Sequence, residues 1–428
     1  MTVSSQSDTR LAAAVDASRE SMLDFLSATV QRCSVSGHED RVSDLYEQFF
    51  HTRGWTVTTQ TLESSRVSST PRGSQETRRE ERANVLGYFR TPRGLPTVVL
   101  NGHIDVVPVL DEPQWDRPPF SGDRTDGYVH GRGSVDTKGG IAAALFALDA
   151  LDSIGVELPF DVAVELVVGE ETTGVGTQAA LERIPDRMGT IVLEPTDCAI
   201  VPLASGLLFF TVELTGRAAH TSVPWHGVDA GPKLIRIYQA LTELGCTRAK
   251  THTHPLMPFP SAVPFAIGSV QIGGWRAAVP AKASMSGRIG VLPGEDLATV
   301  RQALIECVRA ASEGDEWLAQ HPAVVKWDHD GAPSWETPAT DAIVESMISG
   351  QHRAGIDERI EGMTAGCDAG ILISAGVPTV VFGPGDMRFA HSPNERIAEP
   401  DVVSAAEVLA HMLVSWSERE ELNEKLQS

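Results

Sequence analysis

Cysteine is scarce and spaced for no framework. The five residues, Cys33, Cys198, Cys246, Cys307 and Cys367, are odd in number and never form a C-x-x-C pair. That pattern excludes a disulfide scaffold and a zinc knuckle, and it fits a reducing compartment. Long apolar runs are missing as well. No stretch approaches the roughly 20 apolar residues a membrane helix needs. The segment Met1 to Arg10 is polar and has no apolar core of a signal peptide. A cytoplasmic protein is expected. Positive charge is in deficit: 35 Lys and Arg face 57 Asp and Glu, a formal net charge of −22. Such a field repels nucleic acid and anionic membrane surfaces, so neither is an expected partner. Solubility alone accounts for the acid, although metal sites also need carboxylates.

What is present is an ordinary globular composition, 42% hydrophobic and 21% charged, over 428 residues. That length predicts two domains. Residues 11–31 read as an amphipathic helix and 41–53 as another. The Ser64 to Arg82 stretch is polar and reads as a mobile loop. Buried strands at Thr97–Leu100, Val162–Val168 and Thr190–Leu193 alternate with an Ala/Leu-rich helix at Gly139–Leu151. This predicts an α/β sheet covered on both faces. After Ser205 the order becomes β-α-β-β-α-β: Leu207–Thr215, Asp229–Leu244, Phe265–Ile272, Ala283–Val291, Glu295–Ala311 and Val324–Asp328. That order describes a small open-faced sandwich. The α/β pattern resumes after Pro338, with a helix at Thr340–Arg353, a strand at Thr379–Phe382 and a last helix from Pro400. The expected division is therefore 1–204 and 331–428 for one domain, with 205–330 inserted into it.

Several acidic and imidazole side chains fall just beyond predicted strands, where open α/β sheets place their sites. His103 and Asp105 share one side of an extended chain in Asn101-Gly102-His103-Ile104-Asp105. Asp105 can accept from one ring nitrogen and free the other for a metal; a polar strand end is the plainer alternative. Asp136 lies in a glycine-rich turn, Gly133 to Gly140. It can bridge two cations or simply cap a helix. A phosphate loop fits poorly, because neither the Walker spacing nor G-x-G-x-x-G is present. Glu170 and Glu171 follow a strand as adjacent carboxylates, which repel unless a cation or proton intervenes. Glu194 precedes Pro195, and His391 follows the turn Gly383-Pro384-Gly385. Two histidines and three carboxylates without thiolate suit Zn²⁺, Mn²⁺ or Co²⁺.

The combination of G-H-x-D, D-x-K-G-G, E-E, E-P-T and H-S-P-N-E closely resembles the M20 metallopeptidase family over most of the chain. The resemblance implies a mixed-sheet di-metal hydrolase domain with an inserted dimerisation or lid domain. It also implies two divalent metal ions per subunit. Asp136 would bridge them, His103 and Glu194 would complete one site, and Glu171 and His391 the other. Glu170 would be the general base, with Asp105 orienting His103. The inserted domain implies a homodimer in which His220 reaches the second subunit's site and binds developing negative charge.

One departure concerns the inserted domain. Many relatives carry an Asn after a double glycine there, and it contacts substrate; here the run is Gly273-Gly274-Trp275-Arg276-Ala277-Ala278, with Ala277 in its place. Trp225 and His226 follow the His220 motif. With Arg276 they suggest a pocket for a flat or aromatic, anionic substrate; drift at a tolerant site is the alternative. Arg288 matches a position that often binds a substrate carboxylate, or it serves as a structural ion pair.

Three functions follow for testing. The first is hydrolysis of a C–N bond in a small carboxylate-bearing substrate, of deacylase or peptidase type, with metal-activated water and Glu170 moving the proton. The second is displacement of the amine from an activated aromatic ring such as 5-nitroanthranilate, releasing ammonia. The third is a non-catalytic metal-binding protein.

Overall fold

The computed structural model describes residues 3–62, 82–110, 112–328 and 331–427. The chain divides into two compact units: Met1–Pro202 with Thr337–Ile360 and Cys367–Ser428, and Leu203–Glu336 with Glu361–Gly366. The first boundary lies close to the expected one. The short return of 361–366 to the second unit has no counterpart in the sequence reading.

The first unit is built on a six-stranded sheet in the order Thr56–Thr61, Ala83–Tyr88, Asp161–Val167, Thr97–His103, Arg187–Val192, Thr379–Val381. The last four strands run parallel and the first two pair antiparallel. The central strands Asp161–Val167 and Thr97–His103 are buried at every position. That burial is why they read as continuous apolar runs rather than as alternation. The two antiparallel strands escape a sequence reading. Thr56–Thr61 is β-branched but almost wholly polar, and the chain between it and Ala83 holds the expected loop, which lies outside the described residues but for Arg82.

The helix Gly139–Ser153 is buried along nearly its whole length. Gly140 permits this: a Cβ there would stand 2.5 Å from the Leu193 carbonyl oxygen. The helix therefore packs directly on the chain that carries Glu194. The C-terminal helix Glu399–Gln427 covers it and packs against Ala342–Arg353, with Trp416 in the shared core. At the N-terminus, one expected helix is two, Val3–Ala17 and Arg19–Val30. Ser18 separates them, its hydroxyl donating back to the Val15 carbonyl at 2.8 Å, a local bond that competes with helix continuation.

The second unit has the predicted β-α-β-β-α-β order, with a short extra helix, Glu316–Gln320. Its antiparallel sheet runs Phe265–Ile272, Lys282–Val291, Gly206–Thr215, Val324–Trp327. Helices Gly231–Thr251 and Leu297–Ser312 bury Leu234, Ile237, Leu241, Val300, Leu304 and Val308 against one face. Among the described residues, no helix is long and apolar enough to cross a membrane.

Candidate metal centre

Three adjacent parallel strands deliver the site. His103 ends its strand, Glu170 and Glu171 follow Val167, and Glu194 follows Val192. These are carboxyl ends of the sheet, open for a ligand by the ordinary rule for α/β folds. Asp136 comes from the turn ahead of Gly139–Ser153, which Gly133 enters in the left-handed conformation at φ 85°. His391 comes from the loop after Thr379–Val381 and is itself left-handed, at φ 56°.

The five expected ligands converge. His103 Nε2 stands 2.8 Å from Asp136 Oδ1 and 3.7 Å from Glu194 Oε1. His391 Nε2 stands 3.1 Å from Asp136 Oδ2 and 3.0 Å from Glu171 Oε2. Asp136 thus faces one imidazole with each oxygen. Donor atoms of His103, Asp136 and Glu171 lie within 4.8 Å of one another, as do those of His103, Glu170 and Glu194. His103, Asp136 and Glu194 are buried, whereas the His391 side chain is 53% exposed and stands at the mouth.

Asp105 acts differently from the expectation. His103 Nδ1 lies 2.8 Å from the Asp105 main-chain oxygen and 3.8 Å from its carboxylate. The carboxylate is engaged elsewhere, accepting from the Gly169 and Glu170 amides at 2.8 and 3.2 Å and from the Ser36 hydroxyl at 2.7 Å. Its backbone fixes the imidazole while its side chain fixes the loop that carries Glu170.

Electrostatically the cluster is short of positive charge. Burial pulls the His103 imidazole down, but Asp136 and Glu194 outweigh it and hold the ring well above its ordinary range. Asp136 and Glu171 push His391 up to about 10. Burial works to raise Asp136, yet the two imidazoles hold it well below the usual carboxylate range. Burial, then the Asp368 charge, pushes Glu170 well up; burial, then Asp136, does the same to Glu194. Rings and glutamates alike draw in protons, which is what a crowded buried anion set does. Nitrogen and oxygen donors in that condition fit divalent cations. Cys367 is buried beside them, and burial, then the Glu194 charge, push its thiol well up.

Sequence reasoning missed Glu395 and Arg132, which brace the Asp136 turn. It also missed Asp368, which accepts from Thr177 Oγ1 at 2.6 Å. Lys138 escaped attention too: its buried Nζ donates to the Thr29 and Arg32 carbonyls at 2.9 and 3.1 Å. Glu395 and Lys138 stand inside the quoted motifs, H-S-P-N-E and D-x-K-G-G. That placement was the available signal.

The remaining expected residues belong to the second unit. His220 is exposed; its Nδ1 accepts from the Ser222 amide at 3.1 Å, with Ser222 Oγ at 2.7 Å. That places the proton of the neutral ring on Nε2. The His220 and Ala277–Ala278 loops are bridged. Trp225 and Trp275 are 72% and 70% exposed, and His226 and Arg276 are exposed with them. Arg288 is half-buried: Nη2 donates to the Thr364 carbonyl at 3.2 Å, and Nε is buried without a partner among the described residues.

Comparison with known proteins gives a consistent picture. The sequence profile of "Peptidase family M20/M25/M40" matches residues 99–415. An N-formyl-4-amino-5-aminomethyl-2-methylpyrimidine deformylase of Halalkalibacterium halodurans is 28% identical, over 75% of this chain and 79% of its own. A probable carboxypeptidase of Aspergillus terreus is 30% identical, over 88% and 82%. Among solved structures, the YXEP protein of Bacillus subtilis, described as a dinuclear metal-binding peptidase of the M20 family, superposes with a TM-score of 0.66. It shares 17% identity over 94% of this chain and 99% of that one.

Proposed function

Because the chain belongs to peptidase family M20/M25/M40, it is a metal-dependent hydrolase of carbon–nitrogen bonds in small substrates, and we propose that it takes an acyl group off the nitrogen of a flat, anionic amide. The observation that carries the reading is the meeting of His103, Asp136, Glu171, Glu194 and His391 around one shared carboxylate, with Glu170 beside them.

In this reading Asp136 would hold two cations, zinc, manganese or cobalt, with His103 and Glu194 completing one site and Glu171 and His391 the other. Such ions supply Lewis-acid polarisation of the carbonyl and acidification of a water. Glu170 takes that water's proton and returns it to the leaving nitrogen, as a general acid–base must within hydrogen-bond reach of both. The Asp105 carboxylate, through the Gly169 and Glu170 amides, keeps the base in place. His220, from a second copy of the chain, donates a hydrogen bond from its Nε2–H to the developing oxyanion. Support for a homodimer through the second unit comes from exposed apolar side chains: Val270 and Ile272 on the edge strand, Ile235 and Tyr238 on the helix beside it.

Substrate choice falls to the second unit. Arg288 has a half-buried guanidinium with one nitrogen unsatisfied among the described residues, a fit for a substrate carboxylate. Trp225 and Trp275 offer exposed ring faces, and Ala277 stands where the family resemblance implies an asparagine. The deformylase relative acts on a formylated aminomethylpyrimidine, which is flat and N-acylated.

The test is an assay of protein of known metal content on N-formyl and N-acetyl derivatives of aromatic and aliphatic amino acids, beside anthranilate-type amines. Release of the free amine and a carboxylate is expected. Ammonia with a phenol would favour amine displacement from the ring instead. A protein that binds no metal and turns over none of these would overturn the reading.

A further inference from the structure

The Asp136 turn and the His391 loop lie far apart in sequence, and one carboxylate joins them. Glu395 stands four residues after His391 and is fully buried. Its Oε1 accepts from the Gly133 and Val135 amides at 3.0 Å and from the Asp136 amide at 3.3 Å. Oε2 accepts from Arg132 Nη1 at 2.6 Å. The Glu395 main-chain oxygen accepts from the Gly131 amide at 2.8 Å. All five donors belong to residues 131–136. Bonds from N–H groups to a carboxylate are charge-assisted and strong, and burial leaves no water to replace them.

The two imidazoles are tied to Asp136 unequally. The Thr137 hydroxyl donates to the His103 carbonyl at 3.1 Å, so the turn stays tethered to His103 without Glu395. Lys138 adds its own anchor to the Thr29 and Arg32 carbonyls. His391 is half-exposed. Among the described residues, the hydrogen bonds joining its loop to residues 131–136 all run through Glu395, its own pairing with Asp136 aside.

We propose that Glu395, with Arg132, is a positioning pair that sets His391 against Asp136. It prepares the cation site these two share with Glu171 and leaves the site of His103 and Glu194 largely independent. The inference rests on the two-cation reading above.

Titration of the metal-free full-length protein with cobalt(II), followed by d–d absorption, tests it. Wild type takes two equivalents. Glu395→Ala keeps one tight equivalent, while the second weakens by about 10–100-fold, the usual effect of losing a residue that orients a ligand. Glu395→Gln keeps the size of the side chain and one oxygen for the amides, and is expected to weaken the same equivalent by less. If Glu395→Ala does not fold, Glu395→Gln decides alone. Two equivalents at wild-type affinity in the folded variants, or equal weakening of both, would overturn the proposal. A wild type that takes no cobalt would overturn the two-cation reading instead, and the titration separates the two failures.

Discussion

The metal centre of the first unit and the loops of the second unit are built on opposite terms. At the centre, the groups behind His391 are largely enclosed and two are bonded several times over: Asp105 takes three donors with its carboxylate, and Glu395 takes four with its own. In the second unit, Trp225, Trp275, Arg276 and His220 stand exposed on loops with few bonds. Fixed donors suit chemistry, because a catalytic group must be pre-organised before the substrate arrives. Exposed loops suit selection among substrates, since they vary without disturbing the sheet. Under the proposed function, the difference assigns reaction class to the buried cluster and substrate choice to the exposed loops.

The comparison can be broken at four points. Chelation should act hardest, because all chemistry passes through the buried centre. Activity should fall to background, and readdition of zinc, manganese or cobalt, assayed one at a time, should restore it and identify the preferred ion. Next, Glu170→Gln should lower kcat by about 10²–10⁴-fold with both metals retained by elemental analysis; near-normal turnover would remove Glu170 as the base. His220→Ala should lower kcat by roughly 10²–10³-fold, as loss of an oxyanion donor does. Mixing it with Glu170→Gln should recover activity, because a hybrid dimer holds one intact site; no recovery would place His220 outside the neighbouring subunit's chemistry. The smallest effect belongs to Arg288→Ala. KM should rise by roughly tenfold, the loss of one charge-assisted hydrogen bond, with kcat little changed. A fall in kcat instead would move Arg288 from selection into chemistry.

How much of this could be read from the residues follows the same divide. His103, Glu171 and Glu194 were legible because each ends or follows a strand whose burial makes it a continuous apolar run. Asp136 was legible because glycines frame it. The sandwich was legible because its helices carry apolar stripes and its strands fall in a recognised order. The Arg132–Glu395 pair was not, because its partners are 263 positions apart and no local pattern predicts such a bond. The work of the Asp105 side chain was missed for a related reason. Spacing placed it on the His103 side of the strand, but the amides it binds come from another strand's exit. The polar edge strand Thr56–Thr61 lacks the apolar alternation by which strands are found.

One bond near the boundary has a wider consequence. The Thr337 amide donates to the Pro202 carbonyl at 2.7 Å, and the Thr337 hydroxyl donates to the Thr379 carbonyl. The long excursion of residues 203–336 thus leaves the first unit and rejoins it at hydrogen-bonded neighbours, and only the short stretch 361–366 goes out again. An ancestor could acquire, lengthen or exchange the intervening module without re-threading a strand, since the entropy of closing an inserted loop grows only slowly with its length.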